Sequence, residues 1–497
     1  MAYNKNFHQD KGGVGPEPST GPKQSVGPKL STGPKQSIGG KAVSRQRIAL
    51  RPQKDSATRR PAEPRMELLE DLLPQLPAGS CQILDSFDTI VQGVRPLSSR
   101  QMLSLPEQIR SLSHLLTDQR GGRRVGYLND TAHLSAYLRY FLWWNLLRLT
   151  KLFAGLTASQ LNLPEEGVCV DIGSGPLTVP IALWLARPDL RKKRLTWYCI
   201  DYSQQALSLG EELYLAVAAR TCRLPSSART LDAGGATDEV EPWRIVRIKG
   251  ELGVSIRQQA QLVTAANLFN EVVEGSGRPP EFTAKRAADI ISHYAAAEAQ
   301  VLVVEPGTPP SARFLTAFRG ALARKGFRIT APCPAGMEWT GGQEKAGVEK
   351  NSCGCPMDGS RGSKWCHFTF STEAAPAKLQ RLSASAGLPK DRASLAFVLA
   401  SSAGAAAAGN PDLLSIRIIS EPINLPGDKI GHYGCCRRGL VLVVADNQGA
   451  AGWSLGQSQK SASPASQRLS PGKLIQVAEP ANPKLDRKSG AVLVGGW

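Results

Sequence analysis

No run of 18 strongly apolar residues occurs anywhere in the chain, so a membrane-spanning helix is not expected. The longest uncharged run, Ala393 to Pro411, is mostly Ala, Gly and Ser and too weakly apolar to span. No apolar segment of signal-peptide type follows Met1, which leads to the expectation of a soluble intracellular protein. Aromatic residues are scarce at 6%, so composition does not advertise stacking on single-stranded bases. Acidic residues are scarce at the start. Residues 1–65 hold 13 Lys and Arg against 4 Asp and Glu, half of the net +18 of the 497-residue chain. That imbalance points to a polyanionic partner, RNA being the common one; a solvated, solubilising tail is the rival. Hydrophobic residues make up 41%, enough for a core and too many for disorder throughout.

The chain divides by composition. From Ser19 it reads STGPKQSVGPKL and then STGPKQSIGGKA, a twelve-residue repeat too rich in Gly and Pro for a helix. Residues 1–65 are therefore expected to be a disordered basic tether. Residues 66–155 read as helical, best over Thr131–Phe153. There Leu134, Tyr137, Leu138, Phe141, Leu142, Asn145, Leu146, Leu149 and Leu152 mark one face. Trp143 and Trp144 widen that stripe, so the helix should pack on a larger body. Residues 156–330 alternate short β runs with helical stretches. The strands expected are Val168–Ile172, Leu195–Asp201, Arg244–Lys249, Leu262–Ala266 and Gln300–Glu305. Crossover helices are expected at Thr178–Ala186, Ser203–Ala219 and Phe282–Ala297. This predicts an α/β fold with a mostly parallel sheet covered on both faces. After Gly307 the pattern breaks up. Residues 331–445 are cysteine-rich and expected to complete the sheet, with β runs at Leu395–Ala400 and Leu440–Val444. Residues 446–497 read as a loosely ordered basic tail.

The sharpest motif is Val168-Cys-Val-Asp171-Ile-Gly173-Ser-Gly175-Pro176, an apolar strand ending in an acid before a Gly-x-Gly turn. Glycines there let the backbone turn tightly and approach a ligand. A second strand ends at Asp201, placed to accept hydrogen bonds from ribose hydroxyls. Position 178 is Thr, so the third glycine of a dinucleotide fingerprint is missing. The arrangement resembles motifs I and II of class I S-adenosylmethionine-dependent methyltransferases. The methyl-acceptor half is missing its usual Pro-Pro: Thr264-Ala-Ala-Asn267-Leu-Phe-Asn270-Glu271 stands in its place. Cys169 and Cys199 read as buried small hydrophobes rather than nucleophiles.

Six of the ten cysteines lie between 333 and 436: Cys333, Cys353, Cys355, Cys366, Cys435 and Cys436. In a chain expected to be intracellular, a metal or cluster is a better reading than disulfides. An iron–sulfur cluster and zinc, the latter with His367, both remain open on residue type alone.

The motifs D-I-G-S-G-P, A-x-N-L-F-N-E, V-V-E305-P306-G307-T-P, P-C333-P, C355-P-M, W-C366-H-F and a late G-C-C-x-x-G occur in this order. Together they resemble the methyltransferase-like small-ribosomal-subunit assembly proteins, the family of ribosomal small subunit mitochondrial protein twenty-two and its bacterial relatives. The resemblance implies a Rossmann-like class I methyltransferase fold with a helical N-terminal region and a cysteine-rich cluster-binding C-terminal part. It implies S-adenosylmethionine held at Asp171, Gly173, Gly175 and Asp201. It also implies a [4Fe–4S] cluster on Cys333, Cys355, Cys366 and Cys435, Cys435 preferred to Cys436 by its distance from Gly439. Ala335 stands where the family has a His, and the loop between the first two ligands is longer. The implied partner is the small ribosomal subunit and its rRNA, with a monomer and no membrane expected. The role is support of assembly and translation, with an active rRNA methyltransferase using Glu271, or a zinc-stabilised RNA-binding module, as rivals. Arg120–Arg124 and Arg191–Arg194 are candidate phosphate contacts, the latter equally a solvated helix end. The tether suits a bacterial cytoplasm, with the mitochondrial matrix as the alternative.

Overall fold

The computed structural model describes residues 66–117, 127–223, 240–276, 278–334, 365–402, 410, 412–446 and 469–495. The basic tether and the Arg120–Arg124 loop lie outside these residues. Strand β1 (Glu67–Asp71) precedes helices α1 (Ala78–Asp85), α2 (Phe87–Val94) and α3 (Ser99–Thr117). A 3-10 turn at Tyr127–Asn129 leads into α4 (Thr131–Ala136), a π-helical turn at Tyr137–Phe141 and α5 (Leu142–Gly155). These last three run on as the single aromatic-rich helix expected over Thr131–Phe153. Asp130 caps it, its carboxylate accepting from the His133 amide at 2.8 Å.

The α/β body follows as β2 (Glu166–Ile172), α6 (Thr178–Ala186), α7 (Pro188–Arg191), β3 (Arg194–Asp201) and α8 (Gln204–Arg223). It continues with β4 (Arg244–Lys249), β5 (Ala260–Ala266), α9 (Phe269–Ser276), α10 (Pro280–Tyr294) and β6 (Ala295–Pro306). Then come α11 (Pro309–Arg324), β7 (Arg328–Ala331), β8 (Phe368–Ser371), α12 (Ala377–Ser385) and β9 (Arg392–Ser401). The strands lie in the order β4-β3-β2-β5-β6-β9-β7, with β8 also paired to β9. The first five are parallel; β9 runs antiparallel to β6, β7 and β8. The strand order reverses between β2 and β5, the switch point where an open α/β sheet leaves a crevice at its carboxyl edge.

Period-two alternation builds the two faces of this sheet. Cys169, Trp197, Cys199, Leu262, Leu302 and Phe397 point into one core with α5, α6 and α8. Val170, Ile200, Val263, Val301 and Val398 point into the other, with α10 and α11. Burial on both sides is why these strands read as nearly continuous apolar runs. Cys169 and Cys199 are fully buried, and burial pushes both thiols up, which suits packing rather than nucleophilic chemistry.

Four expectations are corrected. The stretch after Gly307 does not break up at once but forms α11. Its Pro309-Pro310 start looks like a breaker, yet it occupies the first helical turn, where a fixed φ and a missing N–H are tolerated. The region expected to be wholly helical begins with β1. The tail expected to be loose supplies β14 (Lys473–Ala478) and β15 (Val492–Val494) within residues 469–495. These join β10 (Leu413–Ile418), β11 (Ile423–Leu425), β12 (Lys429–Cys436) and β13 (Gly439–Asp446) in a second sheet, ordered β1-β14-β10-β12-β13-β15 with β11 on β12. So β7, β8 and β9 complete the first sheet, while β10 to β13 do not. Arg417, 1% exposed, pins the two sheets together. Its Nε donates to the Pro332 carbonyl at 2.9 Å, Nη1 to the Gly472 carbonyl at 2.8 Å and Nη2 to Glu70 at 2.6 Å.

Candidate cofactor site

At the end of β2 the chain turns through left-handed backbone three times in five residues: Gly173 at φ +67°, Gly175 at +52° and Leu177 at +57°. Strained backbone of this kind clusters at binding sites. A Cβ on Gly173 would come within 2.8 Å of Leu268, whereas one on Gly175 would enter open space. The turn is tied to β3: the Ser174 amide donates to the Ile200 carbonyl at 3.0 Å and the Gly175 amide to Asp201 Oδ2 at 2.9 Å. The other Asp201 oxygen accepts from the Ser203 amide at 2.8 Å. Burial raises the Asp201 carboxyl against these amide bonds. Asp171, 1% exposed, accepts from the Thr264 hydroxyl at 2.7 Å through Oδ1, and the Ser174 hydroxyl, buried beside it, helps hold the carboxyl down against burial. Burial pushes the Asp171 carboxyl up to about 7. The four residues expected to hold the cofactor, Asp171, Gly173, Gly175 and Asp201, thus form one turn at the switch point.

The facing wall comes from the end of β5. Asn267 has φ +55°, and its amide donates to the Val304 carbonyl at 2.8 Å. Helix α9 then starts on a carboxylate from the next strand. Glu305, fully buried at the end of β6, accepts from the amides of Phe269 at 2.8 Å and Asn270 at 3.0 Å. Burial lifts the Glu305 carboxyl to about 8. Sequence reasoning quoted Glu305 as part of a motif but gave it no role; it aims the Asn267–Glu271 segment at the crevice. Asn270 Oδ1 is buried without a partner. Tyr127 donates to Glu271 at 3.5 Å, and the negative fields of Glu271 and Asp201 add to burial in raising the Tyr137 phenol. The π-helical turn carrying Tyr137 therefore reaches over this edge, and such turns are frequent at functional sites.

The cysteines divide. Cys435 packs against Cys366, with Ile419 and Leu440 beside them. Cys333 follows Pro332, the acceptor of Arg417, and lies within electrostatic reach of that guanidinium. Arg417 is itself the register partner of Cys435. Of the four expected cluster ligands, Cys366 and Cys435 are in contact. Cys436 points the other way, into the apolar core of the second sheet, where burial raises its thiol to about 11. Cys353, Cys355 and Ala335 lie outside the described residues. Among the described residues, no group of three or more His, Cys, Asp or Glu is placed to hold a metal ion. His367 stacks on Trp365, whose indole donates to the Gly307 carbonyl at 3.0 Å, so the W-C-H-F and E-P-G-T-P motifs touch.

Arg191–Arg194 lies at the opposite, amino-terminal edge of the sheet, beside a cavity of about 690 Å3 lined also by Trp243 and Arg244. Arg191 donates to the Trp184 and Leu185 carbonyls, Lys193 to Leu163, and Arg194 pairs with Glu166. Arg191 ends α7 and Arg194 opens β3.

A doubly wound sheet in this strand order, with an antiparallel strand inserted beside the last parallel one and a glycine turn at the switch point, defines a Rossmann-like fold of the class I methyltransferase type. Residues 163–430 match the family described as mitochondrial small ribosomal subunit Rsm22, and the chain belongs to that family. No curated protein is significantly similar to it. Among solved structures it is similar to a putative class I S-adenosylmethionine-dependent methyltransferase from Listeria monocytogenes. The identity there is 10%, over 67% of this chain and 90% of that one, with a TM-score of 0.27. It is also similar to the ribosomal protein L11 methylase from Lactobacillus delbrueckii subsp. bulgaricus, at 16% identity over 38% of this chain and 72% of that one, TM-score 0.24. No helix among the described residues is long and apolar enough to cross a membrane.

Proposed function

We propose that this chain is a methyltransferase-like protein of the small ribosomal subunit that binds S-adenosylmethionine and rRNA and supports subunit assembly and translation. One observation carries the cofactor reading: the chain turns through left-handed backbone at Gly173, Gly175 and Leu177 between two strand-terminal carboxylates, Asp171 and Asp201, and the Gly175 side of that turn is open. Glycines at the carboxyl edge of the first strand, at the switch point, let a ligand approach the backbone there. Asp201 retains lone pairs for ribose hydroxyls after its two amide bonds. When bound, the cofactor supplies an activated methyl group; this chain's residues supply the cradle and the Asn267–Glu271 wall. Among the described residues, no side chain beside that wall is both a strong base and matched to a nucleophile, and the reading proposed is a non-enzymatic or weakly enzymatic role, with active methyl transfer as its rival.

The cluster belongs to the same proposal. Cys366 and Cys435 in contact, with Cys333 near Arg417, suit a thiolate-bound [4Fe–4S] centre completed by Cys355. Zinc on the same thiolates is the rival. Of the two compartments, the family description favours the mitochondrial matrix. The deciding experiment is anaerobic purification with iron, sulfide and zinc analysis, alongside titration with S-adenosylhomocysteine. About four irons per chain with absorption near roughly 400 nm supports the cluster. One zinc without iron replaces the cluster with a structural metal. Failure to bind S-adenosylhomocysteine, in protein whose fold is intact, ends the cofactor reading.

A further inference from the structure

The cavity of about 690 Å3 at the amino-terminal edge of the first sheet lies away from the cofactor turn, which sits at the carboxyl edge. Five cations line it: Arg191, Lys192, Lys193, Arg194 and, from the start of β4, Arg244. Two of them fasten its wall. Arg191 Nε donates to the Trp184 carbonyl at 2.6 Å and Nη2 to the Leu185 carbonyl at 3.0 Å, and Lys193 donates to the Leu163 carbonyl. The buried Trp243 indole donates to the Leu190 carbonyl at 3.3 Å, which holds the start of β4 against the end of α7. The other three cations, Lys192, Arg194 and Arg244, are exposed on this fixed frame. Alternation along β3 puts Arg194 on the same face as Thr196, and Thr196 is the register partner of Arg244. The two arginines therefore leave the sheet on one side.

The charge of this wall is not balanced. Among the described lining residues Glu241 is the one acid. Arg194 pairs with Glu166, but the two side chains are 75% and 68% exposed, and an ion pair so open to water is worth little. Among the described residues neither Lys192 nor Arg244 is ion-paired to a carboxylate. A pocket of this size made for a small molecule is walled mainly by apolar and aromatic side chains. Here cations outnumber them, and arginine forks match phosphate oxygens in charge and geometry.

We propose that Lys192, Arg194 and Arg244 form a subsite that grips the phosphates of an RNA strand on the edge of the sheet opposite the cofactor turn. This rests on the RNA-binding function proposed above and adds where the strand is held. Contacts of this kind position a strand by its backbone, at a distance from the Asn267–Glu271 wall, and do not read its bases.

The test measures binding of a fluorescent single-stranded RNA oligonucleotide of mixed sequence to the full chain, purified anaerobically, between about 50 and 200 mM salt. Lys192→Gln and Arg244→Gln should each weaken binding about fivefold at about 0.1 M salt. Each should flatten the slope of log affinity against log salt by about 0.7, the loss of one phosphate contact on a single strand. The double variant should lose about 25-fold and about 1.4 in slope. Arg244→Lys should keep the slope of wild type. Lys285→Gln, which neutralises an exposed cation of α10 outside the cavity, should change neither quantity. S-adenosylhomocysteine affinity should stay the same in every variant. Because Lys192 and Arg244 are exposed, their variants should fold, which an unchanged melting temperature verifies. Unchanged RNA affinity and slope in the double variant overturns the subsite and leaves the RNA-binding function standing. An equal effect from Lys285→Gln also overturns it, reducing the attraction to net charge. A fall in S-adenosylhomocysteine affinity in the folded variants overturns the separation of the two sites. A wild-type chain that binds no RNA ends the RNA-binding function and the subsite together. One that binds RNA through these residues but no S-adenosylhomocysteine upholds the subsite and removes the cofactor reading instead.

Discussion

Replacing Asp171 by Asn should stabilise this protein, and more so as pH rises. The folded Asp171 carboxyl is held at about 7 by burial, against 3.8 for the ordinary group. The folded state therefore keeps a proton that the unfolded chain has released. Such a group stabilises the fold fully below about pH 4, and that contribution is lost as pH rises through 7. At 1.36 kcal/mol per unit, the folded state is handicapped relative to a neutral side chain by roughly 2 kcal/mol at pH 5 and about 4 kcal/mol at pH 8. Asn cannot ionise. Its carbonyl can still accept from the Thr264 hydroxyl, and its NH2 would donate to the Ser174 hydroxyl in place of the carboxyl. Thermal melts of wild type and variant from pH 5 to 8, without cofactor, should show an advantage for Asn that widens by roughly 2 kcal/mol. Glu305 has the same sign of pH dependence in both proteins and cancels in the comparison. S-adenosylhomocysteine binding should fall at the same time. A variant that is less stable than wild type by a constant amount at every pH would refute the reasoning.

Glu305→Gln presents an NH2 to one of the two amides it now caps. It should cost about 1–3 kcal/mol and raise hydrogen exchange in α9 before the rest of the sheet. Arg417→Met removes three hydrogen bonds and leaves Glu70 without its cation. A loss of about 3–5 kcal/mol is expected, seen as a lower melting temperature, with Glu70→Gln milder because it can still accept. Cys435→Ser should lower bound iron, while Cys436→Ser should lower stability and leave iron unchanged.

The first sheet was readable because its signals are local. Val168–Ile172 and Leu195–Asp201 are short apolar runs bounded by charge, and Thr178–Ala186 is a helix at the bounds the pattern predicts. Asp171 and Asp201 are legible as strand-terminal acids, and the turn between them announces itself by glycine spacing. Of the second sheet only the run Leu440–Val444, within β13, was readable, because its other partners are far apart in the chain. Glu67 pairs with Gln476, and β15 is three residues long, so neither carries a periodic signature of its own. Glu305 was missed for a related reason. Its role depends on where β6 ends up relative to α9, which no window of sequence contains. The sign of Cys435 against Cys436, by contrast, follows from simple alternation along β12 once that strand is known.

The pairing of β1 with β14 sets an order on biosynthesis. A ribosome delivers β1 first and β14 some four hundred residues later, so β1 must wait, edge exposed, while the methyltransferase-type body can already close around its own local contacts. The second sheet then acts as a latch thrown only once β14 has been made. Arg417 is made before Gly472 but cannot satisfy its Nη1 until that carbonyl arrives. A nascent chain that stalls before β14 keeps an unpaired β10 edge beside Cys435, and is marked as unfinished at the very place where the cysteines converge.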